Sequence, residues 1–578
     1  MQQLFSSIEV LTAYSGLLLY LFQGTVCETP VVKIEAGLVA GVRSPLSGKV
    51  VDAFLGIPYA EPPLGDLRFE RAVPAKPWNG TYNATSKPSP CVQLDFPFLP
   101  DTVLDYSNSS EDCLYVNVWR PAAACPSLGK CDAKLPVMVF IHGGAFQWGD
   151  SALFVHDLSN LAVMANAVTV GFNYRVGALG FLSTGTADLP GNLGFWDQHH
   201  LLKWVQKNIG SFGGDPAEVT LSGQSAGSIS ASLFSISPQG KGLFKRLFLV
   251  SGTPLSIIVG QAYKGVSKFI GTAAGQGCYD FAKQLEKQIP EVITCLKKAD
   301  AKVMLAKLKE ELPIKQLYAP VHGDEFLPTD PLVDASSNDI NTKELFLGTV
   351  KDEGTIFVHN IRLAASQFGN LLATADYRFV LTFGLSTLFD IPVPKAKNIV
   401  EHYYGDYDVK HTDEAVITIF AHIFGDGGFY CPTVLFADKA AALGIKTYRY
   451  IYDHRASISV WPKSYGVVHG DDVMFIMGSL PFMYEKSKHT PYMWSIVHDH
   501  FGLRNYTKAE DDFMHQLSDM LSSYMTTGKP TIPLSHAEWP QYSAENPDYI
   551  YLRPNNYTRG RELKRRDCDV WKSILMKK

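Results

Sequence analysis

Residues 218–228 read EVTLSGQSAGS, and this stretch decides the interpretation of the whole chain. A β-branched run at Val219 leads into a G-x-S-x-G pattern centred on Ser225, and small residues follow it. A strand that turns sharply into a helix needs glycines beside the serine, because the strained backbone leaves no room for Cβ atoms. We therefore expect Ser225 to project its hydroxyl above the edge of a sheet as a nucleophile. The pattern alone also occurs in ordinary glycine-rich turns, so the flanking strand and helix carry the prediction.

Other apolar runs indicate the sheet to which this strand belongs. Each run is followed by polar or Gly-rich sequence, which is where open α/β sheets place their sites. The predicted strands cover residues 137–141, 167–172, 218–221, 247–250, 345–348 and 447–452. Amphipathic helical patterns lie between them, at 197–209 and within 281–312. Strands that alternate with helices predict an α/β fold with a large, mostly parallel central sheet flanked by helices.

A second loop motif, His142-Gly143-Gly144, directly follows the predicted strand 137–141. Acyl transfer places negative charge on the former carbonyl oxygen, and preorganised backbone N–H groups stabilise that charge. Glycines let the backbone approach the oxyanion closely. Gly143, Gly144 and Ala226 are therefore the predicted donors of an oxyanion hole. The His-Gly-Gly pattern alone would indicate only a tight turn, but two loop motifs in the required chain order favour the catalytic interpretation.

A nucleophilic serine needs a general base, and the base needs a carboxylate that orients it. In the chain order serine, acid, histidine, both partners must follow Ser225. Glu353 comes soon after a predicted strand, and His469 lies in a Gly-flanked loop after the next one. The sequence offers competing residues for both roles: Asp352 as the acid, and His322 or His454 as the base. Spacing alone leaves both choices open.

The composition excludes several classes of protein. Lys and Arg number 52 against 57 Asp and Glu, a net charge of −5, whereas a nucleic-acid partner usually requires a basic surplus. A hydrophobic content of 46% excludes intrinsic disorder as the main description. No CxxC or CxxH spacing is present, which argues against a structural zinc site. We expect no metal and no cofactor.

The N-terminus carries one apolar run, Val10–Phe22, which is shorter than a membrane span of about 20 residues. We predict a cleaved signal peptide over residues 1–27, with a buried N-terminal helix as the alternative, and we expect no membrane span. N-x-[ST] sequons agree with a secreted, extracellular glycoprotein. They begin at Asn79, Asn83, Asn108, Asn505 and Asn556.

The chain has nine cysteines, and removal of Cys27 with the signal peptide leaves eight, an even number that fits a disulfide framework. Three pairs are near neighbours along the chain, and local pairing among them would leave the last two cysteines for each other. These candidates are Cys91 with Cys113, Cys125 with Cys131, Cys278 with Cys295, and Cys431 with Cys568. Free buried thiols remain the alternative, because sequence alone does not fix connectivity.

The chain resembles the type-B carboxylesterases, the cholinesterase-like family of α/β-hydrolases, from about Val31 to Ile574. Long blocks carry this resemblance and make it specific. They are residues 53–60 (AFLGIPYA) with 62–69, residues 111–119 (EDCLYVNVW), residues 191–216, and the turn at Ser225. The resemblance implies an α/β-hydrolase fold and hydrolysis of carboxylic esters.

The resemblance also implies roles for individual residues. By position, Glu353 of the D-E-G turn is the family's acid and His469 of the G-x-x-H-G loop is its base. Ser251 matches a supporting serine behind the triad. The family pattern implies the pairs Cys91–Cys113, Cys278–Cys295 and Cys431–Cys568, with Cys125–Cys131 as an addition. It further implies buried structural ion pairs between Arg68 and Glu111 and between Arg175 and Asp197.

Two departures from the family pattern narrow the range of expected substrates. Cholinesterases carry a choline-binding Trp between the first pair of cysteines, but no Trp lies between Cys91 and Cys113, so a cation–π seat for quaternary ammonium is missing there. The residue before the nucleophile is usually Glu, and here it is the neutral Gln224. Gln224 and the G-x-x-H-x-x-D pattern at 466–472 are similar to juvenile hormone esterases.

We therefore predict a serine carboxylesterase that hydrolyses small-molecule esters through a Ser-His-Glu triad and an acyl-enzyme. A juvenile-hormone-esterase-like or cholinesterase-like hydrolase is the alternative within the family. A catalytically inactive adhesion protein resembling neuroligins is less favoured, because all three triad residues are kept. Since these residues lie far apart along the chain and must meet, we expect one domain over residues 28–578. We also expect the protein to act as a monomer or homodimer.

Overall fold

The computed structural model describes residues 29–93, 106–125, 131–256, 265–308, 318–334, 340–357, 377–389, 391–406, 413–489 and 506–576. The predicted signal peptide at 1–27 lies outside these residues. The strands are β1 (Val31–Ile34), β2 (Gly37–Ala40), β3 (Val42–Leu46), β4 (Lys49–Pro58), β5 (Thr81–Asn83), β6 (Tyr115–Pro121), β7 (Leu135–Ile141), β8 (Val168–Phe172), β9 (Gly214–Gln224), β10 (Arg246–Val250), β11 (Glu344–Val350), β12 (Lys446–Tyr452), β13 (Asp548–Arg553) and β14 (Asn556–Arg561).

Among the described residues, α-helices lie singly or in groups between successive strands from β7 to β13 and after β14, and a π-helical turn at Asp426–Tyr430 joins two of them. They are α1 (Ser159–Met164), α2 (Gly177–Phe181), α3 (Leu193–Asn208), α4 (Ala226–Ile236), α5 (Gly265–Gly275), α6 (Leu285–Lys298), α7 (Ala301–Leu308), α8 (Pro331–Asp334), α9 (Tyr377–Phe389), α10 (Val393–Asp406), α11 (Asp413–Gly425), α12 (Cys431–Ala442), α13 (Val473–Ile476), α14 (Leu480–His489), α15 (Lys508–Thr527) and α16 (Arg565–Leu575). Among the helices in the described ranges, none is both long and apolar enough to cross a membrane.

An eleven-stranded sheet forms the centre of the structure, in the order β14-β13-β12-β11-β10-β9-β7-β8-β6-β4-β3. The strands from β8 to β13 run parallel to their neighbours, whereas the edge strands pair antiparallel. A small separate sheet contains β1, β2 and β5. This arrangement confirms the predicted α/β fold with a large, mostly parallel sheet flanked by helices.

The predicted elements agree closely with the observed ones. Each predicted strand lies within an observed strand, except that β8 begins one residue later than expected. The helix predicted at 197–209 is the body of α3, which begins earlier, at Leu193. The helical stretch predicted within 281–312 contains α6 and α7, and its residues beyond 308 lie outside the described ranges.

Side chains on the parallel strands alternate between two core layers. On β10, Leu247 and Leu249 belong to one layer, and Phe248 belongs to the other. This is the pattern of a strand that is buried on both faces. Helix α4 packs against β9, and Gly227 near its start permits the close approach, since a Cβ atom there would lie 2.0 Å from Ile141 O. Any larger residue at 227 would push α4, and the turn before it, away from the sheet.

The described chain contains three disulfides between near neighbours in sequence and one between distant segments. They join Cys91 to Cys113, Cys125 to Cys131, Cys278 to Cys295, and Cys431 to Cys568. The last of these connects α12 to α16 across a sequence separation of 137 residues. It therefore fixes the C-terminal helix to the body of the protein.

The ion pairs that the family resemblance implies are formed. Arg68 lies 2.6 Å from Glu111, and Arg175 lies 2.6 Å from Asp197. Both guanidinium groups contact both oxygens of their carboxylate, the bidentate geometry that suits buried pairs.

The predicted glycosylation sites that lie in the described ranges have exposed asparagines. These are Asn79, Asn83, Asn108 and Asn556. The fifth, Asn505, lies outside those ranges.

Candidate active site

Ser225 lies at the junction of β9 and α4, where its φ of 56° and ψ of −124° are unusual for a residue with a side chain. The surrounding backbone imposes this conformation, since Ser225 N donates to Val250 O and Ile229 N donates to Ser225 O, each at 2.9 Å. Strained residues of this kind collect at functional sites, where neighbouring structure over-determines them. The turn therefore holds a half-buried serine at the carboxyl edge of the parallel strands.

Glu353 and His469 meet at the same edge of the sheet. Glu353 follows β11 and His469 lies in the loop after β12, and 2.5 Å separates Glu353 Oε2 from His469 Nδ1. Both side chains are largely buried, with Glu353 only 3% exposed. With the Nδ1 proton donated to the carboxylate, Nε2 of His469 carries the lone pair that a general base needs.

The competing residues lie elsewhere. Asp352 accepts a hydrogen bond from Val467 N at 2.9 Å, which ties the loop of the base to the end of β11. His454 lies 3.0 Å from Glu510 of α15, and His322 is exposed. The structure thus brings together the acid and the base that the family resemblance indicates.

Two further groups hold the Glu353 carboxylate. Its Oε1 accepts hydrogen bonds from Ser251 Oγ at 2.5 Å and from Val350 N at 2.9 Å. Ser251 directly follows β10, is fully buried and has a φ of 55°, close to the φ of 56° at Ser225 on the neighbouring strand. The hydroxyl of Ser251 therefore contacts the acid, and within the described ranges it makes no hydrogen bond to Ser225.

His469 is enclosed by aromatic rings and by one amide. The ring of Phe429, in the π-helical turn, lies 4.4 Å from the imidazole, and that of Phe357 lies 5.7 Å from it. The side-chain nitrogen of Gln224 lies 3.1 Å from His469 Nε2. Ser225 Oγ, by contrast, makes no hydrogen bond to another residue that the structure describes. The contact of Gln224 with the base is one that the sequence analysis missed.

The loop after β7 lies against the nucleophile. A Cβ atom on Gly143 would lie 3.1 Å from Ser225 Cβ, so the backbone of Gly143 is directly beside the serine. Gly144 has a φ of +113°, which favours glycine, and a Cβ atom there would clash with Trp148 O at 2.1 Å. The N–H groups of Gly143, Gly144 and Ala226 donate to no other residue within the described ranges. They are free to receive an oxyanion next to Ser225.

His142 fixes the orientation of this loop. Its Nδ1 donates to Gly143 O at 2.9 Å, and its ring stacks on Tyr174 at 4.3 Å. Tyr174 also donates its hydroxyl to His142 O at 3.0 Å. Burial, aided by the neighbouring His156, lowers the pKa of His142 to about 3, so the ring stays neutral at physiological pH.

Two buried acids complete the surroundings of the triad. Asp471 and Asp472 follow His469 in the same loop, and both are almost fully buried. Burial raises the pKa of Asp471 to about 7. Burial, together with the nearby charges of Glu353 and Asp471, raises the pKa of Asp472 well above its usual range. The two consecutive acids are visible in the sequence, but only the fold shows that Glu353 lies near them.

Within the described ranges, no three His, Cys, Asp or Glu side chains lie close enough together to hold a metal ion. The arrangement that remains is a serine, a histidine, a carboxylate and free backbone donors. Such a set can carry out acyl transfer.

A sequence model of the Carboxylesterase family matches residues 28–571. An acetylcholinesterase of Bungarus fasciatus is 33% identical over 561 residues, which cover 94% of this chain and 86% of that protein. A cholinesterase of Mus musculus is 32% identical over 563 residues, covering 95% and 87%. An acetylcholinesterase of Leptinotarsa decemlineata is 30% identical over 572 residues, covering 95% and 86%. The similarity therefore extends over nearly the whole chain.

Proposed function

The chain belongs to the carboxylesterase family of carboxylic ester hydrolases, and on this basis we propose that it is a secreted serine carboxylesterase with a Ser225–His469–Glu353 triad. The single observation that carries the proposal is the convergence of the strained serine, the 2.5 Å acid–base pair and the free N–H of Gly143 at one edge of the sheet.

In the first half of the reaction, Ser225 Oγ attacks the ester carbonyl while His469 Nε2 takes its proton. The N–H groups of Gly143, Gly144 and Ala226 stabilise the resulting oxyanion, and Glu353 stabilises the imidazolium. Collapse of the tetrahedral intermediate breaks the ester bond. The alcohol leaves with the proton from the base, and an acyl-enzyme remains.

In the second half, water replaces the alcohol. His469 removes a proton from the water as it attacks the acyl-enzyme, and the same N–H groups bind the second oxyanion. Collapse returns the proton to Ser225 Oγ and releases the carboxylic acid. No step requires a metal ion or a redox cofactor, because every proton and electron pair is exchanged among ester, water and the triad.

Neutral esters are the proposed substrates. The chain between Cys91 and Cys113 contains no Trp, and Gln224 beside the nucleophile carries no charge, so two groups that would attract a choline cation are missing. The relatives named above are called cholinesterases, which makes choline ester hydrolysis the second candidate. The two candidates differ in whether the enzyme prefers a cationic alcohol.

Secretion is supported by the disulfides, which form and persist in oxidising compartments, and by the exposed sequons. Recovery of active, glycosylated protein from the medium of expressing cells would test this part of the proposal. Retention of unglycosylated protein inside the cells would contradict it.

The catalytic proposal is tested with Ser225→Ala. Ser232→Ala is the matched control, because Ser232 is a buried serine of α4 whose hydroxyl bonds to Ile229 O, away from the triad. Hydrolysis of p-nitrophenyl acetate and butyrate should be lost in Ser225→Ala and kept in the control. An organophosphate should form an adduct on the Ser225 peptide, detectable by mass spectrometry. Wild-type turnover by Ser225→Ala, or an adduct elsewhere, would overturn the proposal.

The substrate proposal is tested by comparing p-nitrophenyl esters with acetylthiocholine on the wild-type enzyme. We expect kcat/KM for acetylthiocholine to be no higher than that for an uncharged thioester of the same acyl group. A clear preference for acetylthiocholine would favour the cholinesterase-like candidate instead.

A further inference from the structure

The side chain of Gln224 lies between the two loops that serve Ser225. Its nitrogen is 3.1 Å from His469 Nε2, and a Cβ atom on Gly470 would lie 3.6 Å from the same nitrogen. Its oxygen lies at the opposite loop, since a Cβ atom on Gly143 would come within 2.7 Å of Gln224 Oε1. Gln224 as a whole is only 8% exposed. The carboxamide therefore connects the oxyanion loop to the loop of the base.

The chemistry of this contact is fixed by the groups involved. An amide nitrogen can only donate, so at His469 Nε2 it requires a lone pair. The proton of the neutral imidazole then lies on Nδ1, where Glu353 accepts it. Gln224 thus selects the tautomer that catalysis needs, but it occupies the same lone pair that must take the proton of Ser225.

We propose that Gln224 is a positioning residue that caps Nε2 of His469 in the resting enzyme and that must leave this atom before Ser225 can react. This inference rests on the proposed function of the triad. It agrees with the absence of a hydrogen bond from Ser225 Oγ to any other residue in the described ranges. An ester carbonyl bound at Gly143 lies beside the carboxamide, so binding of substrate and release of the cap are coupled.

The cap has a second effect, on the charge of the base. Donation by a neutral amide favours the neutral imidazole, whereas a carboxylate at the same place would favour the imidazolium. Within the described ranges, the charged or titratable groups on the elements packed against His469 are Glu353 at Nδ1, the buried Asp471 and Asp472 of its own loop, Asp352 beside Glu353, and Asp426 and Tyr430 of the π-helical turn. The rings packed against it carry no charge. A change at 224 alters none of these groups, so its effect on the base can be measured in isolation.

The experiment compares Gln224→Glu and Gln224→Met with the wild type in the full-length enzyme. Gln206→Met is the control, because Gln206 donates to two backbone carbonyls, Pro216 O and Leu243 O, far from the site. The readouts are the pH dependence of kcat/KM for p-nitrophenyl acetate and the rate of Ser225 phosphylation by diisopropyl fluorophosphate. A thermal melt of each variant verifies that it is folded.

In Gln224→Glu the acid limb of the pH profile should move to higher pH by about one unit, which lowers kcat/KM about tenfold well below the limb. In Gln224→Met the acid limb should also move to higher pH, but by less than one unit, because the donor is lost and no negative charge is added. At high pH, where the base is neutral in every variant, Gln224→Met should be phosphylated faster than the wild type because the competing donor is gone. Unmoved profiles, or slower phosphylation of Gln224→Met at high pH, would overturn the proposal.

A measurement that does not depend on activity separates this inference from the proposed function. In protein labelled with ¹⁵N-histidine, the Nε2 resonance of His469 should move toward that of an undonated lone pair in Gln224→Met. If the wild type is inactive and its Ser225 is not phosphylated, the proposed esterase function is wrong. The Nε2 resonance of His469 still tests the contact with Gln224 in that case. If the wild type is active but the resonance is unchanged in Gln224→Met, the proposed contact is wrong and the esterase function stands.

Discussion

The hydroxyl of Ser251 offers a sharp test of how the acid is held. Ser251→Ala removes the donor that lies 2.5 Å from Glu353 Oε1 and leaves the donors Val350 N and His469 Nδ1 in place. Alanine keeps the Cβ atom, so the change in packing is small. The perturbation is therefore close to the loss of one hydrogen bond from a buried carboxylate.

Its magnitude follows from the charge on that carboxylate. A hydrogen bond to a charged group contributes about 1.5–3 kcal/mol, compared with about 1 kcal/mol for a neutral bond. A loss of about 2 kcal/mol expressed fully in the transition state corresponds to a roughly 30-fold lower kcat. Because Ser251 does not reach the substrate, KM should stay unchanged. The expected result is a fall in kcat of about 10- to 30-fold with a constant KM.

The assay is steady-state hydrolysis of p-nitrophenyl acetate, with Ser235→Ala as the control. Ser235 is equally buried, but its hydroxyl bonds to the neutral Ser232 O, so kcat should barely change. Ser251→Gly separates the lost bond from backbone strain, because glycine tolerates the φ of 55°. Retention of wild-type kcat in Ser251→Ala would refute the reasoning. If kcat falls in Ser251→Ala but is normal in Ser251→Gly, the effect comes from backbone strain and not from the lost hydrogen bond.

Three other changes probe different parts of the molecule. Gly143→Ala should lower kcat for p-nitrophenyl esters at least about 100-fold, because its Cβ would lie 3.1 Å from Ser225 Cβ and displace an oxyanion donor; an unchanged kcat would exclude Gly143 from that role. Replacement of both Cys431 and Cys568 by Ser opens a loop of 137 residues and should cost about 5 kcal/mol in urea unfolding, so an unmoved midpoint would contradict the estimate. Burial raises the pKa of Asp150 from 3.8 to about 6, so the folded state holds this proton more tightly than the unfolded state. Ionisation of Asp150 between about pH 4 and 6 therefore lowers the unfolding free energy of the wild type by up to about 3 kcal/mol. The unfolding free energy of Asp150→Asn should rise relative to that of the wild type as the pH increases over this range, and a pH-independent difference between the two proteins would argue against the assignment.

The sequence predicted the central strands well because buried parallel strands are continuous apolar runs that end in polar or Gly-rich turns. The run before Ser225 and the run before Glu353 both became strands close to the predicted bounds. The helical stretch after residue 281 was harder to divide, since amphipathic patterns continue through the break between α6 and α7. Periodicity indicates which face is buried, but it does not show where a helix ends.

The partners of Ser225 could not be chosen from spacing. Asp352 and Glu353 are adjacent, and only the path of the chain after β11 decides which one faces His469. His454 satisfies the same chain order as His469, and only the fold shows that His454 pairs with Glu510. The contact between Gln224 and His469 joins residues 245 positions apart, and no local pattern predicts such a meeting.

The order of strands in the central sheet has a consequence for biosynthesis. From β3 to β14 the strands follow one another across the sheet almost in the order in which a ribosome makes them. The strand that presents Ser225 can therefore join a half-built sheet while His469 is still untranslated, and at ordinary elongation rates this interval lasts on the order of tens of seconds. During that time the nascent chain exposes a strained serine without a proton acceptor. With the proposed triad, a partly made chain would lack its base, so we expect ester hydrolysis to begin only when the later strands are added.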